Sequence, residues 1–225
     1  MALKYSISEE NYIKTIYHLQ KDDEPVTTNE LATALKAKPA SITDMMKKLK
    51  AKKLLHYQPY QGFKLSAEGN KVALVIIRRH RLWEYFLSEK LKFAWDEVHD
   101  VAEQLEHVSS KKLIDKLDEF LNFPRTDPHG DPIPDANGKM ETTEKVCLAD
   151  LPLHTMVKVC GVNDHSSDVL DLLEHKGIHL GCRIEVKKRF AYDQSMEIKI
   201  SNLPVDSISE QLAKKIFVVY DSTSK

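Results

Sequence analysis

Residues 98–109 read V-H-D-V-A-E-Q-L-E-H-V-S and combine apolar side chains with metal-ligating ones at helical spacing. On a helix of about 100° per residue, the ligating side chains share one arc that is roughly 100° wide. They are His99, Glu103, Glu106 and His107. Two imidazoles and two carboxylates on one face are unfavourable unless a positive charge satisfies them, so the pattern predicts a divalent-cation site. A solvated polar stripe is the alternative, but the apolar residues around the arc leave no second polar face for water.

The composition indicates a two-domain protein that works in a reducing compartment. A chain of 225 residues with 42% hydrophobic content can form two domains with real cores. The sequence contains no run of 18 apolar residues and no signal-peptide pattern, which predicts a protein that does not contact a membrane. The cysteines Cys147, Cys160 and Cys182 are scattered and odd in number. They argue against a disulfide framework and favour a cytoplasmic location.

The charge distribution predicts a local anionic partner. The net charge of −1 gives no global indication of nucleic-acid binding. Residues 36–53, however, contain seven lysines and a single acid, Asp44. One strongly basic stretch in a nearly neutral protein is typical of a site for a local polyanion.

The first 65 residues predict a winged helix-turn-helix DNA-binding domain. Capping boxes at 6–9 and 27–30 start two helices, and Pro39 suits the first position of a third. Two short β-like runs follow, Leu54–Tyr57 and Phe63–Leu65, and they predict a hairpin. A helix-turn-helix whose second helix carries the lysines, followed by a wing, favours DNA as the partner.

The predicted DNA contacts lie at the start of the third helix and on the wing. Small or polar side chains near the start of the helix can touch base edges or phosphates, and the lysines and the wing tyrosine are expected to bind phosphates. The set is Lys38, Ala40, Ser41, Thr43, Asp44, Lys47, Lys48, Tyr60 and Lys64.

Residues 66–124 predict a helical domain. A long helix from Ser66 carries an apolar stripe that includes His80, and Glu84 follows one turn later. Two further helices are expected at 95–106 and 110–121. Their apolar faces exceed what one small domain can bury, which predicts a homodimer.

The rest of the sequence predicts a linker and a small β domain. Residues 125–145 are rich in proline and fit no regular element, so they are expected to form a linker or an ordered loop. Residues 146–225 contain five short strand-like runs and one helix, with Gly177 as its C-terminal cap, and they suggest a small barrel. The predicted fold class is therefore mainly α with a small β domain.

The chain resembles the diphtheria toxin repressor and manganese transport regulator (DtxR/MntR) family. The resemblance rests on R-H-R-L-x-E at 79–84, on the stretch 98–109 and on P-H-G-D-P-I-P at 128–134, and it extends over nearly the whole chain. It implies that residues 66–124 bind metal and form the dimer, and that residues 146–225 are an SH3-like, FeoA-type domain.

The resemblance also implies two metal ions per subunit. The activating ion would be held by Glu103, Glu106 and His107, with Asn11 in the place where relatives have methionine or aspartate. His80 would belong to this site or to the second one, which would use His80, Glu84 and His99 with help from the barrel, where Asp164 and Asp168 are candidates. Glutamate rather than cysteine at position 103, in an oxygen-rich ligand set, favours Mn(II) or Fe(II) over Zn(II).

The sequence therefore predicts a metal-activated dimeric repressor that binds palindromic operators of metal-uptake genes and has no small organic substrate. Without metal, Glu103 and Glu106 are expected to repel each other and to leave the first helix untethered. Two other functions are considered. A metallohydrolase could use the same His/Glu cluster, although no spare base or nucleophile is evident. A winged-helix regulator that does not respond to metal could keep the acids for structure alone.

Overall fold

The computed structural model describes residues 5–20, 24–58, 60–107, 110–141 and 144–220. The chain divides into two compact units. The first unit comprises Met1–His80, Gln104–Asp115 and Pro134–Lys139, and the second comprises Arg81–Glu103, Lys116–Ile133 and Met140–Lys225. Pro59 of the wing, and Val108 and Ser109 of the opening stretch, lie outside the described residues.

The described residues form eight α-helices and eight β-strands. The helices are α1 Ile7–Leu19, α2 Thr28–Ala34, α3 Pro39–Ala51, α4 Ala67–Leu91, α5 Val98–Glu106, α6 Lys111–Phe120, α7 Ser167–His175 and α8 Glu210–Ala213. The strands are β1 Leu55–Gln58, β2 Gly62–Leu65, β3 Val146–Cys147, β4 Met156–Val162, β5 Arg183–Arg189, β6 Met196–Ile200, β7 Val205–Ile208 and β8 Ile216–Tyr220.

The first unit contains the winged helix, as predicted. Both capping boxes form, at Ser6 for α1 and at Thr27 for α2, and Pro39 occupies the first turn of α3. Strands β1 and β2 pair antiparallel to make the wing. One apolar cluster packs the three helices, the wing and the start of α4 together, and Ile13, Ile16, Leu31, Ile42, Met46 and Leu49 are its fully buried side chains from the three helices. Helix α1 therefore shares its core with the recognition helix α3.

Glu9 joins α1 to α3 electrostatically. Its carboxylate accepts a hydrogen bond of 2.8 Å from the Ser6 amide and lies 2.6 Å from Lys52 Nζ and 3.2 Å from Lys48 Nζ. Burial would raise the pKa of Glu9, but Lys52, the Ser6 amide and Lys48 lower it to about 2. The ionised carboxylate therefore stabilises the folded state.

We expect Glu9→Gln to lower the free energy of unfolding at pH 7 by about 1–2 kcal/mol, since glutamine can keep the capping hydrogen bond but loses the charge that faces Lys52 and Lys48. The folded-state pKa lies below the unfolded one, so this contribution is present above about pH 4.5 and is lost as the pH falls towards 2. Urea unfolding from pH 7 to pH 3 measures it. The exposed Glu24→Gln is the control. The assignment would be contradicted if Glu9→Gln were as stable as wild type at pH 7, or if its loss of stability were the same at pH 7 and pH 3.

The second unit contains a six-stranded antiparallel sheet in the order β3-β8-β4-β5-β6-β7. Its core lies between the sheet and helices α7 and α8 and includes Val157, Leu173, Ile184, Ile198 and Val218. The predicted small β domain is confirmed, but the predicted closed barrel is not. Among the described residues, β3 pairs only with β8 and β7 only with β6, so the sheet remains open at both edges. A two-residue β3 is too short to close it.

The Pro-rich segment is an ordered loop where it belongs to the second unit. Asp127 Oδ1 accepts hydrogen bonds from the amides of His129 and Asp131, at 2.8 and 3.0 Å. A bridge joins Thr126 to Pro132. The Val162 amide of β4 donates to the His129 carbonyl at 3.0 Å. These bonds hold Asp127 and His129 buried.

Candidate metal centres and nucleic-acid interface

The first candidate centre lies in the first unit and is built around Glu106, at the end of α5. Its carboxylate is fully buried. His80 Nδ1 lies 2.6 Å from Glu106 Oε2, and Lys14 Nζ of α1 donates to Glu106 Oε1 at 2.7 Å. Burial alone would raise the pKa of Glu106, but the hydrogen bond and charge of His80 and the charge of Lys14 hold it below its usual value. Glu106 is therefore an anionic ligand at neutral pH.

His107 is oriented by a second carboxylate. Its Nδ1 lies 2.8 Å from Glu10 Oε2, and Arg79 Nη2 donates to Glu10 Oε1 at 2.8 Å. All three residues are buried. A carboxylate on one ring nitrogen places the proton there and leaves a lone pair on the other, which is the usual support of a metal-binding histidine. His107 Nε2, which lies 3.3 Å from Glu106 Oε1, is thus the ring atom that could bind a cation.

Two buried polar atoms of the first unit, which belong to predicted ligands, are available to a cation. Asn11 Oδ1 and His107 Nε2 are buried and lack a hydrogen-bond partner among the described residues. Unsatisfied buried polar atoms are unfavourable, and an oxygen and an imidazole nitrogen suit Mn(II) or Fe(II). Glu103 lies one turn before Glu106 on α5, and His107 follows directly after the helix.

Sequence reasoning missed Glu10, because an acid in the first turn of a helix is explained by the helix dipole alone. It also did not anticipate the side chains that connect α1 to the end of α5. Protein groups alone join α1 to the end of α5, since Lys14 reaches Glu106 and Glu10 reaches His107. The sequence signal for Glu10 would have been its position on the same helix as a predicted ligand, Asn11, and within four residues of it.

The second candidate centre lies in the second unit around Glu84, which is almost fully buried. His99 Nδ1 lies 3.2 Å from Glu84 Oε1. Ligand atoms of Glu84, Asp127 and His129 lie within 4.8 Å of one another, and all three residues are buried. The cluster thus combines two carboxylates and an imidazole, with a second imidazole beside it.

The electrostatics of the second centre also fit a cation. Burial and the charges of Glu84 and Asp131 raise the pKa of Asp127 well above its usual range. Burial lowers the pKa of His129 to about 4, so its ring is neutral at pH 7. His129 Nδ1 lies 3.9 Å from Glu84 Oε2, and it is a buried nitrogen without a hydrogen-bond partner in the described chain. A bound cation would relieve both the crowded carboxylates and this nitrogen.

The predicted second-site residues are distributed differently from the expectation. Glu84 and His99 are together, but His80 directs Nδ1 to Glu106. Asp164 bonds Ser166 and faces Lys215 at 3.2 Å, and Asp168 is exposed in the first turn of α7. Asp127 and His129 were missed because they lie in a loop, where helical periodicity gives no signal. A Pro-rich loop with an aspartate and a histidine two residues apart was the available cue.

The predicted DNA contacts form one exposed surface in the first unit. The side chains predicted on α3 and at its start are all exposed, Tyr60 is fully exposed and Lys64 is half-buried. A cavity of about 460 Å³ lies between α3 and the wing and is lined in part by Thr43, Lys47, Lys50, Tyr57 and Tyr60. Lys48 also bonds to Glu9, so it supports α1 as well. Basic side chains with interleaved tyrosines suit a phosphate backbone.

Among the described residues, no helix is both long enough and apolar enough to cross a lipid bilayer.

Three family models match the chain. The model described as "Iron dependent repressor, N-terminal DNA binding domain" matches residues 4–63. The model described as "Iron dependent repressor, metal binding and dimerisation domain" matches residues 66–135, and the "FeoA domain" model matches residues 146–220.

Relatives and a solved structure extend these matches. The iron-dependent repressor IdeR of Mycobacterium leprae is 27% identical over 190 residues, which are 79% of this chain and 83% of that protein. The HTH-type transcriptional regulator MntR of Oceanobacillus iheyensis is 33% identical over 120 residues, 53% of this chain and 81% of that protein. A solved structure titled as a manganese-dependent transcriptional repressor in complex with manganese is 31% identical and has a TM-score of 0.84. The alignment covers 94% of this chain and 99% of that one.

Proposed function

The chain belongs to the DtxR/MntR family of metal-dependent transcriptional repressors, and we propose that it is a homodimer that binds palindromic operator DNA of metal-uptake genes when Mn(II) or Fe(II) occupies its metal centres. The observation that carries the proposal is the position of α1. Lys14 and Glu10 of this helix contact Glu106 and His107 of the first centre, and its Ile13 and Ile16 lie in the core shared with the recognition helix.

The ligands of the first centre give the metal control over α1. Glu103, Glu106 and His107 Nε2 would hold a divalent cation, with Asn11 Oδ1 as a further oxygen donor, and the charge of the ion would neutralise the two carboxylates. Glu10 and Arg79 hold the His107 ring in place. Because Asn11 lies on α1, ligation fixes α1, and α1 in turn fixes α3 through their common core. Fixing the recognition helix before DNA binds removes an ordering cost from the binding step.

Mn(II) and Fe(II) are favoured by the donor atoms. The first centre offers carboxylate and amide oxygens and one or two imidazoles, and the second offers carboxylates and imidazoles. Such oxygen-rich sets suit these ions, and the lack of a thiolate in either candidate set disfavours Zn(II). The three cysteines are free, which agrees with the reducing cytoplasm that we propose for the protein.

A homodimer is supported by apolar surface next to the metal-binding helices. Leu113 and Phe120 of α6 and Phe123 after it are 46%, 62% and 65% exposed. Large apolar side chains at this exposure mark an interaction surface. A twofold dimer presents two recognition helices to major grooves one helical turn or a multiple apart, which requires palindromic DNA.

The other two functions have less support. The named relatives are repressors and regulators, and a hydrolase would leave the basic surface of α3 without a role. A regulator that does not respond to metal would leave three buried polar atoms without a bonding partner, namely Asn11 Oδ1, His107 Nε2 and His129 Nδ1.

Selection of binding sites tests the proposal. A pool of random-sequence duplexes is selected on the protein with MnCl₂, and the selected duplex is titrated by fluorescence anisotropy with MnCl₂ or with EDTA. We expect an inverted repeat whose affinity is at least about tenfold higher with Mn(II), the range of typical coupling between sites. No enriched sequence, or an affinity that is equal with and without metal, would refute the function.

Lys47→Ala is expected to weaken DNA binding for all sequences alike and to reduce the slope of log K against log salt by about 1, since one phosphate contact is lost. The Lys47 side chain is exposed on α3 and only weakly paired, with Asp44 at 3.4 Å. Anisotropy titrations from 50 to 200 mM KCl (about the range over which such slopes are defined) measure it. Lys71→Ala, an exposed lysine on α4, controls for the lost charge. An unchanged salt slope would show that Lys47 does not contact a DNA phosphate.

A further inference from the structure

We propose that Lys14 is a built-in competitor of the activating metal: its ammonium group occupies a ligand oxygen of Glu106 and must leave before a cation can use that oxygen. The inference rests on the proposed function, because it assigns a threshold-setting role at the same centre. It predicts that the protein gives up metal affinity in exchange for a stable first centre in the metal-free state.

The contacts of Glu106 show the conflict. Lys14 Nζ donates to Glu106 Oε1 at 2.7 Å, and His80 Nδ1 lies 2.6 Å from Oε2. Both carboxylate oxygens therefore already have a hydrogen-bond partner. Glu106 is fully buried and the Lys14 side chain is only 12% exposed. A cation at Oε1 would stand next to the ammonium group in a poorly hydrated site, where like charges repel strongly. Metal binding is therefore an exchange of one cation for another.

The second buried cation of this centre has a different position. Arg79 donates to Glu10, and Glu10 in turn faces Nδ1 of His107, so Arg79 leaves the ligating Nε2 accessible. Arg79 thus orients a ligand, whereas Lys14 covers one. The flexible four-carbon stem of lysine, with its compact ammonium, can swing away from Glu106 more readily than a bidentate guanidinium could.

Lys14 also explains how α1 stays joined to α5 without a metal ion. A buried carboxylate without a counter-ion is strongly unfavourable, and the lysine supplies that counter-ion from α1. The same contact that stabilises the metal-free fold therefore raises the metal concentration needed for activation.

The test compares Lys14→Met, Lys14→Arg and wild type by titration calorimetry with MnCl₂ and by thermal unfolding in EDTA. For Lys14→Met we expect Mn(II) to bind about tenfold more tightly at the first centre, since a neighbouring positive charge is removed. We expect its melting midpoint in EDTA to fall by a few degrees, since Glu106 loses its buried counter-ion. The rise on adding MnCl₂ should be larger than in wild type. Lys14→Arg keeps the charge and should bind Mn(II) no more tightly than wild type, because a guanidinium leaves Glu106 less readily.

Lys111→Met is the matched control, because it removes one lysine and one ion pair at an exposed site of the same unit. It should leave the Mn(II) affinity unchanged. Unchanged or weaker Mn(II) binding in a folded Lys14→Met would overturn the competitor role and make Lys14 a structural contact. If wild type itself binds no Mn(II), the proposed function fails, which is a different outcome from failure of the Lys14 proposal.

Discussion

Replacement of His107 by alanine is expected to abolish the gain in operator affinity that Mn(II) produces. The variant loses the Nε2 lone pair at the first centre, and it leaves Glu10 and Arg79 without a ligand to orient. Losing a supporting group of a metal ligand already weakens metal binding by about 10- to 100-fold, so loss of the ligand itself should cost at least about 100-fold. Calorimetry with MnCl₂ and anisotropy with the selected duplex measure the two effects.

The controls separate a lost ligand from a lost fold. His179→Ala removes an exposed histidine of the second unit and should change neither affinity. Glu10→Gln keeps the shape of the supporting side chain and removes its charge, and it should give a metal affinity between those of wild type and His107→Ala. A folded His107→Ala that still binds the duplex about tenfold better with Mn(II) would contradict the site assignment.

Gly130→Ala is expected to destabilise the second unit by about 3–5 kcal/mol, because backbone strain and overpacking act together. Gly130 has φ +85°, and an added Cβ would lie 2.0 Å from the Cys160 carbonyl oxygen and 2.6 Å from Gly161 Cα. The loop would have to leave β4 and take His129 with it. The melting midpoint in EDTA and the Mn(II) stoichiometry check this, and the stoichiometry should fall by one ion.

Gly138→Ala is the matched control for this prediction. Gly138 also has a positive φ, +81°, but its added Cβ would meet only the Leu74 side chain at 3.3 Å. It should cost about 1–2 kcal/mol from backbone strain alone. Equal effects of the two substitutions would show that the close approach of the loop to β4 does not matter.

The sequence predicts the winged helix well because its signals are local. Two capping boxes and the proline of α3 fix the helix starts, and the apolar spacing fixes their buried faces. The open sheet could not be foreseen in the same way. Closure depends on whether edge strands meet, and β7 has three exposed residues out of four, so no alternation of apolar residues announces it.

The metal centres show the limit of helical periodicity. His80 and Glu84 lie one turn apart on one helix, yet His80 contacts Glu106 while Glu84 contacts His99. Spacing on one helix gives the shared face, whereas the partner of each side chain depends on tertiary packing. Asp127 and His129 come from a loop, and only the fold brings them to Glu84.

The central claim is that metal and DNA binding are coupled, and reciprocity tests it most directly. The Kd of Mn(II) is measured with and without a saturating amount of the selected duplex. The account predicts that the duplex tightens Mn(II) binding by the same factor by which Mn(II) tightens duplex binding, since coupling free energies are equal in both directions. A Mn(II) affinity that the duplex leaves unchanged would contradict it.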